Sequence, residues 1–433
     1  MANGMTECPR WCMHMADAFS WSAGLAPPSL ESHSEAKLRV FRGYLQKYFD
    51  RLTINPAMDF LNLSLVDGFC GGGSFSQNMG VVVGTPLIMI EEVERARERL
   101  NRGRRKPLNL NVKFYFNDIA PQHIEYLRAE LTRRGYIGRV GQDIQIMCSS
   151  FDDALPAILG DIKTRHRGGR SIFLLDQCGY THVALHGVRT IFETLPAAEV
   201  ILTFAADALI NFLNERPDFT KSMLPLELSE ARISDLIEMS DGRGGRALIQ
   251  RILREHLRIH TGAQYDTPFF IRPAVSRRAL WFVHLSNHPT ARDVMLKEHW
   301  AEGNTFIHHG PGDLGMLGFD AFMSGGLFDF MFDDDADHRT RAQLLSQLPE
   351  EIAGRTIDAP ITLDGFHREI ANRNAATRDK IEDILLELWD AKELSILASN
   401  GKERSRSTRR LRPGDLISIP DAPTFPGLFR RAR

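Results

Sequence analysis

From Leu61 onward the chain alternates short apolar runs with longer stretches in which apolar residues recur at helical spacing. Strands buried on both faces read as continuous apolar runs and their covering helices as amphipathic ones, so this alternation predicts βαβ units and a parallel sheet. Strands are expected at 61–67, 112–118, 144–148, 171–176 and 200–204, with helices beginning near Thr85, Ala120, Phe151, His182 and Ala208. Two later apolar stretches, 268–271 and 280–285, are placed to form an antiparallel pair at one edge of that sheet. Ahead of the first strand, Leu38, Phe41, Tyr44, Leu45 and Tyr48 predict an amphipathic helix over 34–48. Between the fifth strand and the antiparallel pair lies an insertion of helical character at about 215–265.

After Trp300 the pattern breaks. The text becomes rich in glycine and aromatic residues and predicts a loop feeding a short helix near 339–348, with Asp333, Asp334 and Asp335 as a solvated cap. Beyond Thr362, two helix-like stretches at 363–373 and 376–391 precede short strands at 394–398 and 416–419, which is the order of a winged helix. Four segments follow: an N-terminal extension at 1–33, the α/β domain at 34–300, the loop-and-helix region at 301–355 and a winged-helix-like domain at 356–433.

A chain of 433 residues exceeds what one core usually fills, in keeping with this division. Its 43% hydrophobic and 25% charged residues are those of a globular protein, and a net charge of -2 exerts no overall pull on nucleic acid or membrane. No apolar run approaches the ~20 residues that span a bilayer and no secretion signal opens the chain, so a cytoplasmic protein is expected. The five cysteines, Cys8, Cys12, Cys70, Cys148 and Cys178, are scattered and odd in number, which suits a reducing compartment better than a disulfide framework. Cys8, Cys12 and His14 lack the further ligands of a tetrahedral metal site, and Met15 stands where a radical-SAM cluster would need its third cysteine. No metal is expected.

Chemistry gathers at the strand ends. The first strand runs straight into Asp67-Gly68-Phe69-Cys70-Gly71-Gly72-Gly73, a turn through which backbone amides can approach a nucleotide-like ligand closely. The second ends at Asp118, followed by Ile119; an acid there either holds the two ribose hydroxyls or caps the helix that starts at Pro121. After the third come Ser150, Phe151 and Asp152, suited to face an adenine ring or, for Asp152, to sit in the first turn of the next helix. The fourth delivers Asp176, Gln177, Cys178 and Tyr180 to the carboxyl edge, where open α/β sheets keep their catalytic groups. A carboxylate or amide oxygen there can accept a hydrogen bond from a nucleophilic amine; a plain strand-end turn is the alternative. Asp67, Asp118, Asp152 and Asp176, each ending its own strand, together predict a doubly wound α/β sheet of the Rossmann methyltransferase type that binds S-adenosylmethionine.

At these residues the chain resembles the three-Cys-motif partner (TcmP) family over most of its length. The matching pieces are His33 and Lys37 with Tyr44-Leu45, Val66-Asp67-Gly68-Phe69, Gly84-Thr85-Pro86-Leu87, Leu175-Asp176 with Gly179-Tyr180, and Phe204 with Asp207, Ala208, Asn211 and Phe212. They continue through His284-Leu285-Ser286, Met295 and Trp300 to the winged-helix-like end. The resemblance implies a methyltransferase-like Rossmann fold, adds Lys37 to the cofactor residues, and implies a companion: a radical-SAM-like protein bearing three cysteines, in a phage-defence or mobile-element setting. The family's fourth-strand motif reads Asp-Pro-Phe-Gly, similar to that of tRNA guanine-N2 methyltransferases, which points to an exocyclic amine as acceptor. Here Asp176-Gln177-Cys178-Gly179 replaces it, losing the rigid turn and the stacking ring. Cys178 also lacks the Pro-Cys context of a cytosine-C5 nucleophile.

The stretch from Gly401 to Arg433 carries nine Lys or Arg against three acids, a net +6 on the expected wing. Lys402, Arg404, Arg406, Arg409 and Arg410 are its candidate phosphate contacts, with a protein-docking winged helix as the alternative. Three functions fit: methylation of a nucleic acid, a catalytically weakened partner subunit of the three-Cys-motif protein, or a nucleotide-processing enzyme using the Rossmann pocket.

Overall fold

The computed structural model describes residues 20–78, 80–177, 183–204, 206–211, 213, 223–240, 245–271, 280–302, 305–306, 330–331, 334–357, 359–405 and 409–420. The chain divides into two units, one ending at Glu298 and one beginning at His299.

In the first unit α1 (Ser32–Leu52) precedes β1 (Phe60–Asp67). A hairpin of β2 (Ser74–Gln77) and β3 (Gly80–Val83) leads to α2 (Thr85–Asn101). Then β4 (Asn109–Asp118), α3 (Pro121–Arg133), β5 (Ile144–Cys148), α4 (Phe151–Arg165), β6 (Ser171–Leu175), α5 (Leu185–Thr194) and β7 (Ala198–Phe204) alternate. The sheet runs β5-β4-β1-β6-β7-β9-β8, with β8 (Tyr265–Ile271) and β9 (Leu280–Ser286) as the last two strands. The first five strands in that order pair parallel, and β9 pairs antiparallel with both β7 and β8. This is a mixed α/β fold around a mostly parallel sheet, with the expected antiparallel edge.

The strands form because their residues suit burial from both sides. All of Ser171–Leu175 and Ala198–Phe204 are buried, and apolar residues dominate them. α1 lays Val40, Phe41, Tyr44, Leu45, Tyr48 and Phe49 into the core at helical spacing. Burying one such side chain stabilises the fold by about 1.5–3 kcal/mol. β7 is followed by α6 (Ala206–Asn211); the insertion holds α7 (Glu230–Ser240) and α8 (Gly245–Thr261), and α8 buries Ile249, Leu253 and Leu257 along one face.

Strand order reverses between β1 and β6: from β1 the chain works outward to β4 and β5, then crosses to β6 and β7. Such a switch point opens a crevice beyond the carboxyl ends of the two strands, and ligands of open α/β sheets bind there. Asp67 ends β1, and Asp176 follows β6 directly.

The apolar pattern does not predict the hairpin β2–β3. Four-residue strands leave too little alternation to read, and its turn is marked only by Asn78, which takes φ 46°, a left-handed conformation that asparagine tolerates.

The chain passes from one unit to the next within the last turn of α9 (Pro289–Glu302). The second unit then holds short strands β10 (Thr305–Phe306) and β11 (Phe330–Met331), followed by α10 (Asp334–Arg355) and β12 (Ile361–Thr362). α11 (Leu363–Ile370), α12 (Arg378–Asp390), β13 (Ser395–Leu397) and β14 (Leu416–Ser418) complete it. The last three of its strands form an antiparallel sheet ordered β12-β14-β13. Leu348 and Ile352 of α10 share one core with Leu363, Phe366, Leu385, Trp389 and Ile417. The boundary expected at 355 therefore does not hold, since it would cut α10 from the elements it packs on. The helix expected over 363–373 is α-helical to Ile370 and continues as a 3-10 turn over Ala371–Arg373, after which the Asn374 side chain donates to the Ile370 carbonyl at 2.6 Å. Thr377 then caps α12 by accepting the Lys380 N–H.

Candidate cofactor site

Asp67 is fully buried at the end of β1. One oxygen accepts the Phe69 N–H at 3.2 Å, and the other accepts the hydroxyl of Thr85 in the first turn of α2. Burial pushes its carboxyl up to about 7 against the lowering effect of those two hydrogen bonds, and the charges of Asp176 and Asp118 push the same way. The hairpin closes on itself where the Gly84 N–H donates to the Gly73 carbonyl at 2.7 Å, so α2 still starts beside the end of β1.

The loop is tied across the switch point. Gly68 N–H donates to the Leu174 carbonyl and Cys70 N–H to the Asn117 carbonyl, both at 2.9 Å. Its glycines have internal reasons. A Cβ on Gly68 would lie 2.7 Å from Leu175 and 2.8 Å from Phe151, and one on Gly72 would lie 2.2 Å from the Trp21 ring. Gly71 takes φ +54° and donates its N–H to Asp118 Oδ2 at 2.9 Å.

Asp118 accepts also from the Ala120 N–H at 2.9 Å and lies 3.0 Å from His123 Nδ1. Three of the roughly four acceptor positions of a carboxylate are engaged, so one remains for a ligand hydroxyl, where a grip on both ribose hydroxyls was expected. Ile119, beside it, is 72% exposed, and the exposed Cys148 places Sγ 3.8 Å from the Ile119 carbonyl. Together they form an apolar rim at the ends of β4 and β5. Sequence reasoning does not single out Cys148 for the site, because an exposed thiol at a strand end leaves no pattern.

Beyond β5 the expectations change. Ser150 is engaged by α4: its hydroxyl accepts the Asp153 N–H at 3.2 Å and donates to Asp153 Oδ2 at 2.6 Å. Phe151 is buried under Gly68, its ring 6.0 Å from that of Phe69, so it supports the loop and has no open face for an adenine to stack on. Phe69 itself is partly exposed. Asp152 interacts with His186 and Asp153 in the first turn of α4, apart from the other three acids.

Asp176 receives Lys37 from α1, with Nζ 2.6 Å from both carboxylate oxygens. Lys37 is nearly buried while the Asp176 side chain keeps 29% of its surface exposed. His33, one turn earlier on α1, has its pKa lowered by burial and by the Lys37 charge. Gln177 departs from expectation: it is buried, and its Oε1 accepts the Val183 N–H at 3.0 Å. Through this bond the side chain fastens the chain after β6. Cys178 and Tyr180 lie outside the described residues. The structure thus gathers Asp67, Asp118, Asp176 and Lys37 at the switch point, with Gly68, Phe69, Gly71 and Gly73 in the loop between.

In the second unit, Arg404 is spent internally. Its Nη1 lies 2.8 Å from Asp415 and 3.2 Å from the Arg410 carbonyl, with 8% of its side chain exposed. Arg409 pairs with Asp390 at 2.6 Å, Lys402 and Arg410 are exposed, and Arg406 lies outside the described residues. α12 carries Arg378 and Lys380 against Asp379, Glu382, Asp383, Glu387 and Asp390. Arg378 pairs with Glu382 and Asp364, and Lys380 pairs with Asp337 while lying over the Trp300 ring. Among the described residues no group of three His, Cys, Asp or Glu is arranged to hold a metal ion, and no helix is long and apolar enough to cross a membrane.

No family model matches the chain, and no curated protein matches it. Among solved structures it is similar to LPL1258 of Legionella pneumophila, of family DUF519, at 8% identity and TM-score 0.31 over 60% of this chain and 90% of that one. It is similar also to the bifunctional kinase-methyltransferase WbdD at 13% identity and TM-score 0.30, over 58% of this chain and 39% of that one. The plantazolicin methyltransferase BamL, solved with SAH, matches at 11% identity and TM-score 0.23, over 59% of this chain and 88% of that one. Likenesses this distant decide nothing about activity.

Proposed function

We propose that the first unit binds S-adenosylmethionine at the β1–β6 switch point and acts as a methyltransferase-like protein. The observation that carries this reading is the crowding of three carboxylates, with Asp67 feeling the charges of both Asp118 and Asp176. Like charges gathered in one crevice favour a cationic ligand. A ligand with a sulfonium and an ammonium group relieves the crowding, whereas the pyrophosphate of a dinucleotide or nucleoside triphosphate meets Asp67 and Asp118, since Lys37 balances only Asp176. That contrast argues against the nucleotide-processing alternative.

The residues fit such a cofactor. The N–H groups of Gly68, Phe69 and Gly71 are donated to Leu174, Asp67 and Asp118, so the loop would hold the ammonium of the amino-acid end through its carbonyl oxygens, with the remaining acceptor position of Asp118 on a ribose hydroxyl and Ile119 on the adenine face. When bound, the cofactor supplies a methyl group on a sulfonium. Asp176, partly exposed and held by Lys37, would accept a hydrogen bond from an amine N–H and turn the nitrogen lone pair away from itself. The acceptor we propose is an exocyclic amine of a nucleic acid. Incubation with methyl-labelled cofactor and total nucleic acid tests it: label enters nucleic acid with the unaltered protein and falls at least ~100-fold with Asp176→Asn, within the range for loss of a positioned polar group. Absence of label in nucleic acid with the unaltered protein contradicts it.

A second reading concerns the second unit. The order α10-β12-α11-α12-β13-β14, with β14 between β12 and β13, supports a winged helix in which α12 occupies the recognition position. Its two bases are internally paired and its acids outnumber them five to two, so a phosphate-lined groove would repel it. The charge of α12 favours docking on protein, and the radical-SAM-like three-Cys-motif companion implied by the family resemblance is the partner we propose. Co-purification of the two chains supports this, and failure of the two purified chains to associate contradicts it.

A further inference from the structure

The segment ahead of α1 is fastened to the glycine loop at two places. At one end Trp21, 6% exposed, donates its indole N–H to the Ser74 carbonyl at 2.6 Å. At the other, Ser76 N–H donates to the Pro28 carbonyl and Leu30 N–H to the Ser76 carbonyl, both at 2.8 Å, so residues 28–30 run parallel beside β2. The segment is a strap over the loop and its hairpin.

The indole fills the space that side chains at positions 71 and 72 would need. A Cβ on Gly71 would lie 2.7 Å from it and one on Gly72 2.2 Å. Its other neighbours are Phe75 and His123, met edge-on with ring centroids 5.4 and 4.9 Å away. Gly71 and His123 share a property: both bond the carboxylate of Asp118, Gly71 to one oxygen and His123 to the other. Trp21 therefore packs on both Gly71 and His123, two of the groups that hold this carboxylate.

We infer that Trp21 is a positioning residue of the cofactor site. By packing on Gly71 it holds that residue in its left-handed conformation, and by packing on His123 it holds the imidazole against Asp118. The orientation of Asp118 towards a ribose hydroxyl then depends on the strap, which makes residues 20–30 part of the cofactor site although they precede the Rossmann sheet. This rests on the methyl-donor reading proposed above. It also accounts for two of the three consecutive glycines: positions 71 and 72 are kept bare for an indole supplied by the chain itself, while a Cβ on Gly73 would meet Leu127.

Titration with S-adenosylhomocysteine of the full chain tests the inference. Variants are Trp21→Ala, Trp21→Phe, Asp118→Ala, the double variant Trp21→Ala with Asp118→Ala, and Leu257→Ala, a buried site in α8 remote from the loop. Trp21→Ala weakens binding about tenfold or more, as expected when a polar contact loses its alignment. Trp21→Phe restores most of it, and Leu257→Ala leaves affinity intact at a comparable loss of melting temperature. In the Asp118→Ala background, Trp21→Ala has no further effect, because coupled positions are not additive. Full-strength or tighter binding by Trp21→Ala, or effects that multiply in the double variant, overturns the inference alone. No binding by the unaltered protein overturns the methyl-donor reading and this inference with it.

Discussion

Replacing Asp67 with Asn removes a carboxyl that burial has pushed up to about 7 from the ordinary 3.8. The folded protein holds this proton more tightly than the unfolded chain, so the contribution of Asp67 to stability is fully present below about pH 4 and is lost as pH rises towards 7. A displacement of about three units corresponds to roughly 4 kcal/mol, lost at about 1.4 kcal/mol per pH unit across that window. The asparagine amide keeps an acceptor for the Phe69 N–H or the Thr85 hydroxyl and does not ionise. Asp67→Asn is therefore close to the unaltered protein at the acid end and more stable than it by a margin that grows up to about pH 7 and then levels. Urea denaturation followed by circular dichroism in small pH steps reads this margin directly. Parallel stability curves for the two proteins between pH 4 and 8 would refute the assignment of a buried, reluctant carboxylate to this position.

The same carboxyl gives the cofactor a pH dependence: a cationic ligand favours the ionised form, so affinity for S-adenosylmethionine rises from pH 6 to 8 and binding releases protons, read as a dependence of calorimetric heat on the buffer's ionisation enthalpy. Asp118→Ala weakens cofactor binding by about 1–3 kcal/mol, the cost of leaving a ribose hydroxyl unpaired in the bound state; unchanged affinity excludes the ribose role. Arg404→Ala leaves the nearly buried Asp415 with the Arg412 N–H but without its charge partner and destabilises the second unit by about 3–5 kcal/mol, while Lys402→Ala, at an exposed position, leaves its melting temperature in place.

The parallel sheet and its antiparallel edge were legible because strands buried on both faces leave uninterrupted apolar runs such as Val200 to Phe204. The acids at the strand ends were legible as well, since a charged residue closing an apolar run stands out. Side-chain direction was not. Gln177 follows Asp176 in the chain yet turns into the core to bond Val183, and Phe151 supports Gly68 from beneath. Neither fact has a period or a composition. The glycines misled in part: their bareness suggested a ligand's approach, and the structure shows that Trp21, Leu175 and Phe151 already claim much of that space. The basic tail misled for a similar reason, because a net charge does not say that Arg404 and Arg409 face Asp415 and Asp390. Trp21 itself lies in a stretch with no periodicity, and only the fold brings it to residues 71–75.

Titration calorimetry of the full chain with S-adenosylmethionine tests the central claim most directly. One equivalent binding to the unaltered protein, weakened by Asp118→Ala, is the result predicted by a cationic methyl donor seated among Asp67, Asp118 and Asp176. No heat of binding near neutral pH, or binding that Asp118→Ala leaves untouched, would contradict it.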